Sequence, residues 1–348
     1  MGRAVLDSSH VPLIWPAATA DRRGGDQAHV DEGKWSNRLV SLPVSKRELR
    51  YGCLWPHGHP FREYQQAVAD RVEHETQGKI TVTLSEPLPE RELVDRLRLG
   101  EIEMASTSAL QEDVPEMGLS YLPYTYTDMD HFARVWDIEN SPVATKISQI
   151  VLSRTNLRVM GWSIVGWRDL LTKNGSVKNL EDVRELTIRV DAPTTRSTFE
   201  AFGAETVEVP YLEVRNGFSQ GRINAAENSV LNMLFLRWHM HARWLSETAH
   251  TLLANLEVVR GDIWDAMHQV ERNALEASFR TLIDESYEGE SRRRRNALLS
   301  LRDAGVNVVP ASAIALEEFA RRTQSVRRAF VQEHRLDSEW KYILSTKQ

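Results

Sequence analysis

Twice along this chain the same grammar appears: a short β-type apolar run, an amphipathic stretch at helical spacing closed by glycine, then another short apolar run. In the first instance residues 49–54 read as a strand, and Phe61, Tyr64, Val68 and Val72 recur on one helical face ahead of Gly78. Ile80, Val82 and Leu84 alternate as a half-buried strand, a helix over 90–99 stops at Gly100, and residues 102–105 form a further strand. The second instance begins after residue 157, with strands over 157–162 and 186–190 and Asn179 placed to cap a short segment at 180–183. A helix from Pro193 stops at Gly203, followed by a strand at 207–209, a helix at 211–220 and a strand at 223–226. A long helix over 263–286, a strand at 306–309 and a helix over 314–334 close the chain. Strand–helix–strand alternation at this spacing predicts α/β architecture with a largely parallel sheet. With 348 residues and roughly 150 per domain, two such units fit, and paired α/β units bind ligands in the cleft between them.

Composition narrows the function classes. Cys53 is the lone cysteine, which excludes an internal disulfide and any multi-cysteine metal centre; it reads as a core residue. A net charge of −6 argues against a phosphate-backbone partner, so nucleic-acid binding is not expected. The chain has no run of about 18 apolar residues, so none is expected to span a membrane. Residues 1–45 carry Pro12, Pro16, Gly24 and Gly25 without sustained period and read as an irregular lead-in. Arg3 precedes a short apolar run over 11–20, but both prolines interrupt it and Asp7 stands before it, so no clear export signal is legible.

One charged residue stands out. Along the strand at 186–190, Leu186, Ile188 and Val190 share a face, while Arg189 lies on the other within an apolar context where a guanidinium needs an anionic partner. Spacing alone favours a structural pair with a nearby Asp or Glu over a ligand carboxylate.

Several segments then resemble one family. They are Gly166-Trp167-Arg168, the run from Leu180 through Arg189-Val190, Phe199-Glu200-Ala201-Phe202-Gly203-Ala204, and Val209-Pro210-Tyr211, leading to Phe218-Ser219-Gln220-Gly221-Arg222-Ile223-Asn224-Ala225-Ala226-Glu227-Asn228. Thr76-Gln77-Gly78-Lys79-Ile80, Leu97-Arg98-Leu99-Gly100-Glu101-Ile102 and Tyr121-Leu122-Pro123-Tyr124 agree with it in the first half. In order and spacing, from about residue 48 to about 335, they resemble the DctP-type substrate-binding proteins of TRAP (tripartite ATP-independent periplasmic) transporters.

The resemblance implies a two-lobed fold of the periplasmic-binding-protein type, with 46–165 plus 254–293 as lobe I and 166–253 plus 294–348 as lobe II. It implies a periplasmic monomer without a cofactor, which captures a small organic acid and hands it to TRAP membrane permease subunits. Arg189 takes the place of the family's carboxylate clamp, with Arg168 and Asn228 assisting. Two guanidiniums and the NH2 of an amide, all donors, suit one carboxylate. The family's Asp-Gly pair is replaced by Asn224-Ala225, and Arg215 and Asn216 replace its usual tyrosine–threonine, pointing to an atypical ligand.

Further cleft candidates follow from position. Trp55, His57 and His59 follow the first strand, and Ser106 and Ser108 follow a later one, where strand carboxyl ends line ligand clefts. Tyr211, Trp167 and Phe235 are placed to stack on a ligand body or to pack as core. The rival reading is an enzyme on a similar scaffold, using histidines as acid and base on a carboxylate substrate. His57-x-His59 and His239-x-His241 each offer half a metal site without an evident third ligand, so no metal is expected. No nucleophile elbow, phosphate loop or dinucleotide fingerprint appears, and Arg292 through Arg295 read as a solvated helix face or as partners of Glu288 and Glu290.

Overall fold

In the computed structural model, which describes residues 46–347, the first run is β1 (Arg47–Cys53), α1 (Pro60–Glu75), β2 (Ile80–Pro87), α2 (Glu90–Leu99) and β3 (Met104–Thr107). Helices α3 (Met129–Val135) and α4 (Pro142–Thr155) lead into β4 (Leu157–Thr172), a strand of 16 residues. The second run is β5 (Thr187–Val190), α5 (Pro193–Phe202), β6 (Glu205–Glu208), α6 (Val214–Ser219), β7 (Ala225–Ser229) and α7 (Val230–Phe235). Strand β8 (Trp244–Arg260) returns along β4, followed by α8 (Gly261–Asp265) and the 35-residue α9 (Gln269–Asp303). Strand β9 (Asn307–Val309) and helices α10 (Leu316–Arg322), α11 (Gln324–Glu333) and α12 (Asp337–Ser345) finish the chain.

The strands lie in the order β2-β1-β3-β8-β4-β7-β5-β6, with β9 on β8. Each run keeps the parallel pairing that its crossover helices impose: β1 with β2 and β3, β5 with β6 and β7. Antiparallel β4 and β8 run between the two groups and join them, from Leu157 opposite Arg260 to Thr172 opposite Trp244. The sequence shows only the first third of β4 and none of β8. Both are central and buried almost throughout, with polar side chains buried beside apolar ones, so neither shows a two-residue alternation.

Bulges shape this pair. Register shifts fall at Gly161 and Gly166, whose φ of 141° and 144° suits glycine, and a Cβ on Gly161 would collide with Ile283 of α9. A larger excursion lies beyond Arg168: Arg168 faces Thr251 and Leu170 faces Ser246, so Asp169 alone opposes residues 247–250. The Asp169 carboxylate accepts the Ala249 N–H at 3.0 Å, across a residue with φ of 40°.

The apolar interior falls into clusters on either side of these strands. Tyr51, Val68, Leu275 and Phe279 pack α1 and α9 onto β1, while Leu171, Phe218, Trp238 and Leu301 pack the second run. Cys53 is fully buried in the first half, as expected of a core residue, and burial pushes its thiol up. Val331, Leu336 and Ile343 of the last two helices join the first-half cluster, and Glu339 meets Lys146 at 3.0 Å. The stretch assigned by resemblance to lobe II therefore packs its terminal helices on the other half.

The helix expected over 263–286 breaks after α8 and restarts at His268, whose side chain and Glu271 form a capping box. The arginine run on α9 is only partly solvated. Arg293 donates to Tyr64 Oη at 2.9 Å and to Ile164 O at 3.2 Å, and Arg294 pairs with the fully buried Asp169. These two side chains lash the long helix to α1 and β4. Removing Arg294 leaves a buried carboxylate without its cation, a change that costs about 3–5 kcal/mol. Arg294→Ala is expected to lower unfolding free energy in urea by about that amount, and adding Asp169→Asn to recover part of it.

Candidate functional site

Strand β7 lies between β4 and β5, and this places three charged side chains side by side. Arg168 comes from β4, Glu227 and Asn228 from β7, and Arg189 from β5, opposite Ala226. Asp191, two residues past Arg189, shares its face just beyond the carboxyl end of β5. Both arginines are 2% exposed. Arg168 holds Glu227 through Nε and Nη2, and the same Nη2 reaches Asp191 Oδ2 at 2.8 Å. Arg189 donates from Nε to Val209 O at 3.0 Å and from Nη1 to Asp191 Oδ2 at 2.9 Å. Burial opposes ionisation of both acids, yet the adjacent guanidiniums prevail: Arg168 and Arg189 hold Asp191 far below the usual carboxylate range. Arg168, with the His250 hydrogen bond, holds Glu227 below its ordinary value. The β8 excursion supplies that histidine, Nε2 lying 3.2 Å from Glu227 Oε2 and Nδ1 2.9 Å from Thr248 Oγ1.

Several donors here are left over. Among the described residues, Arg168 Nη1 and Arg189 Nη2 have no protein partner. Asn228 Oδ1 accepts from Ser229 N–H and Asn232 Nδ2, both at 2.8 Å, which fixes the amide's orientation and leaves its Nδ2 free. The Tyr211 hydroxyl is buried without a partner among the described residues, within the field of Glu90, both arginines and Asp191. Burial first, and then Glu90, pushes its phenol well up, so it serves as a neutral donor.

A second polar chain starts from Asn228 and crosses to the first half. Asn232 Oδ1 meets His59 Nε2 at 3.2 Å, and His59 Nδ1 accepts the Phe61 N–H at 3.2 Å at the start of α1. His59 is therefore the neutral tautomer with its proton on Nε2. Trp55 stacks on it at 4.4 Å between ring centroids, Phe235 meets it edge-on at 4.7 Å, and the Trp55 Nε1–H has no acceptor among the described residues. Ser108, from the end of β3, donates from its N–H and hydroxyl to Glu90 Oε1 at 3.2 and 2.6 Å. Glu90 in turn lies within the field of Asp191 and Arg189.

Of the residues singled out by sequence, Arg168, Arg189 and Tyr211 thus meet at one place; Asn228 lies on the intervening β7 and links through Asn232 to His59, on which Trp55 and Phe235 pack, while Ser108 holds Glu90. Three do not join. His57 is exposed and faces Glu86 at 3.3 Å. Ser106 turns into the first half, donating to buried Glu257 at 2.8 Å together with Tyr51 and Ser163. Trp167 precedes Arg168 on β4, so its ring leaves the opposite face and is half-buried on the first-half cluster. Asp191, Glu227, Glu90 and His250 were not singled out. Asp191 at two residues from Arg189 was the legible signal: one strand face carries both.

At the mouth, a cavity of about 290 Å³ is lined by Pro56, Leu212, Arg215, Phe235, Arg237 and Trp238. A larger one of about 800 Å³, between α3, α4, α9 and the start of β4, contains none of the arginine-pair residues. No group of three metal-ligating side chains occurs among the described residues, and none of their helices is long and apolar enough to cross a membrane.

Burial pushes His59 down to about 4, against the Asn232 bond. An unfolded histidine titrates near 6.5, so between these values the unfolded chain binds a proton that the folded one does not. Stability therefore falls as pH falls through this window, by up to about 3 kcal/mol. Between pH 7 and 4.5, wild type is expected to lose about 2–3 kcal/mol more than His59→Gln in urea unfolding; parallel losses would contradict the buried neutral histidine.

Comparison with known proteins gives the family and the fold. Residues 51–334 match the family model described as bacterial extracellular solute-binding protein, family 7 (DctP). A relative is the 2,3-diketo-L-gulonate-binding periplasmic protein YiaO of Escherichia coli, 23% identical over 60% of this chain and 63% of that one. Another is the uncharacterized protein YiiZ of Salmonella typhimurium, 25% identical over 65% of this chain and 70% of its own length. A TRAP periplasmic solute-binding protein from Polaromonas, solved with D-erythronate, superposes with a TM-score of 0.80 at 18% identity, covering 87% of this chain and 99% of that one. One from Citrobacter koseri with D-glucuronate gives 0.79 at 22%, covering 86% and 100%. These structures establish the two-lobed fold, and the family is one of receptors rather than enzymes. The chain belongs to the DctP family of bacterial extracellular solute-binding proteins.

Proposed function

We propose that this protein is the periplasmic, monomeric receptor of a TRAP-type transporter, capturing a small organic acid between its lobes and delivering it to membrane permease subunits. The observation that carries the reading is the cluster of unpartnered donors Arg168 Nη1, Arg189 Nη2 and Tyr211 Oη, with Asn228 Nδ2 also free on the strand between the two arginines. A buried guanidinium edge without a partner asks for an anion, and charge-assisted bonds from two of them offset the desolvation of a carboxylate. Relatives are named for, or were solved with, small organic acids: D-glucuronate, D-erythronate, 2,3-diketo-L-gulonate and C4-dicarboxylates among them. Arg215 and Arg237 at the mouth supply local positive charge that the chain's net −6 does not.

In this reading, residues 46–165 with 254–293 form one lobe and 166–253 with 294–348 the other, the terminal helices latching back onto the first. Closure bends β4 and β8 where they pass between the lobes, at the bulges, and the His59–Asn232 bond joins the closed faces. No chemical step is required of the site.

The test is a thermal-shift screen of small carboxylic acids, sugar acids and amino acids included. A ligand at 100 times its Kd stabilises by about 2.7 kcal/mol, a shift of several degrees. At least one acid is expected to shift wild type and not Arg189→Ala. An equal shift in both proteins would overturn the clamp.

A further inference from the structure

The arginine pair does not face an empty anion hole. Asp191 already lies between the two guanidiniums, with Oδ2 accepting from Arg168 Nη2 and Arg189 Nη1 and Oδ1 accepting from Thr195 Oγ1 at 3.1 Å. Glu227 takes the rest of the Arg168 edge. Glu90, held by Ser108 through one oxygen, stands close enough for its ionisation to respond to both Asp191 and Arg189. Two guanidiniums thus pair with two carboxylates, with Glu90 nearby, and the positive charge of the site is matched before any ligand arrives.

A bare carboxylate entering here meets guanidiniums whose charge Asp191 and Glu227 already balance, and it lies beside the Asp191 carboxylate, where like charges repel. A ligand that also brings positive charge answers Asp191 without displacing it. Expulsion is opposed by three hydrogen bonds, two of them charge-assisted, and by tethering two residues from Arg189. Meanwhile the donors that remain free on both arginines and Asn228 suit a carboxylate. The acceptor capacity that remains free suits a cation: Asp191 has nearly a quarter of its side chain exposed, and Glu90 Oε2 has no protein partner among the described residues. Burial pushes the Glu90 carboxyl up, a bias that a cation beside it would relieve.

We propose that the ligand is a zwitterion, a small carboxylate carrying a cationic nitrogen, whose carboxylate binds Arg168 and Arg189 and whose cation binds Asp191 and Glu90. This rests on the carboxylate-receptor reading above and names the ligand class for the same site. In this arrangement Asp191 does two things. It recognises the ligand's ammonium, and it discriminates against acids that lack one, because they leave its charge unanswered.

The experiment is titration calorimetry on wild type and Asp191→Asn, with the twenty common amino acids and glycine betaine as zwitterions and D-glucuronate and D-erythronate as simple acids. Melting temperature without ligand checks that the variant folds. A zwitterion is expected to bind wild type at least tenfold more tightly than either sugar acid. Asp191→Asn should weaken that zwitterion at least tenfold and strengthen the sugar acids. Sugar-acid binding to wild type that Asp191→Asn leaves unchanged, with no zwitterion bound, would overturn the zwitterion assignment while leaving the receptor reading intact. Failure of both probe classes on both proteins would count against both.

Discussion

The structure depends on keeping charge inside a protein interior, and it does so with the chain Glu227–Arg168–Asp191–Arg189. A guanidinium at 2% exposure survives only with carboxylates at hydrogen-bonding distance, and a carboxylate at 0% exposure only with a guanidinium. The strand order β4-β7-β5 supplies that proximity. No two members of the chain need be near in sequence except Arg189 and Asp191, so the second half must fold as a sheet before its site exists. The Arg294–Asp169 pair and the His250–Glu227 bond extend the same logic outward, to the long helix and to the β8 excursion.

Much of this is legible in the sequence. Glycine-stopped helices and short alternating strands gave both α/β runs, and α2 begins and ends where Gly100 and the apolar spacing place it. What the pattern did not carry was the join. Strands β4 and β8 are buried on both faces, so their sequences lack alternation, and the bulges that bend them are departures from periodicity by nature. Within the site, Arg189 was conspicuous as a charge in an apolar strand, whereas Glu227 sits in an ordinary-looking run and becomes a partner only when β7 pairs with β4. His250 lies in a segment opposed by the single residue Asp169, which no repeat announces. Ser106 and His57 show the converse: a strand's end brings residues near the cleft, but side-chain direction decides which enter it, and Ser106 points to Glu257 instead.

The acidic chain and its acid-binding family are reconciled locally. The mouth offers Arg215 and Arg237, the interior offers two arginines, and Asp191 and Glu90 hold the interior near neutrality. Affinity in such a site comes from matching a pattern of charges rather than from a positive field. The two halves then contribute unequally: the second presents the arginines and Asn228, and the first presents Glu90, Ser108, Trp55 and the His59 latch.

The most direct test is a crystal structure of the protein with the small molecule that it retains through purification. The account predicts a ligand carboxylate within about 2.7–3.2 Å of Arg168 Nη1 and Arg189 Nη2, between the two halves and beside Asn228. A ligand seated instead in the 800 Å³ cavity beside α9, with both arginines still bonded only to protein, would contradict it.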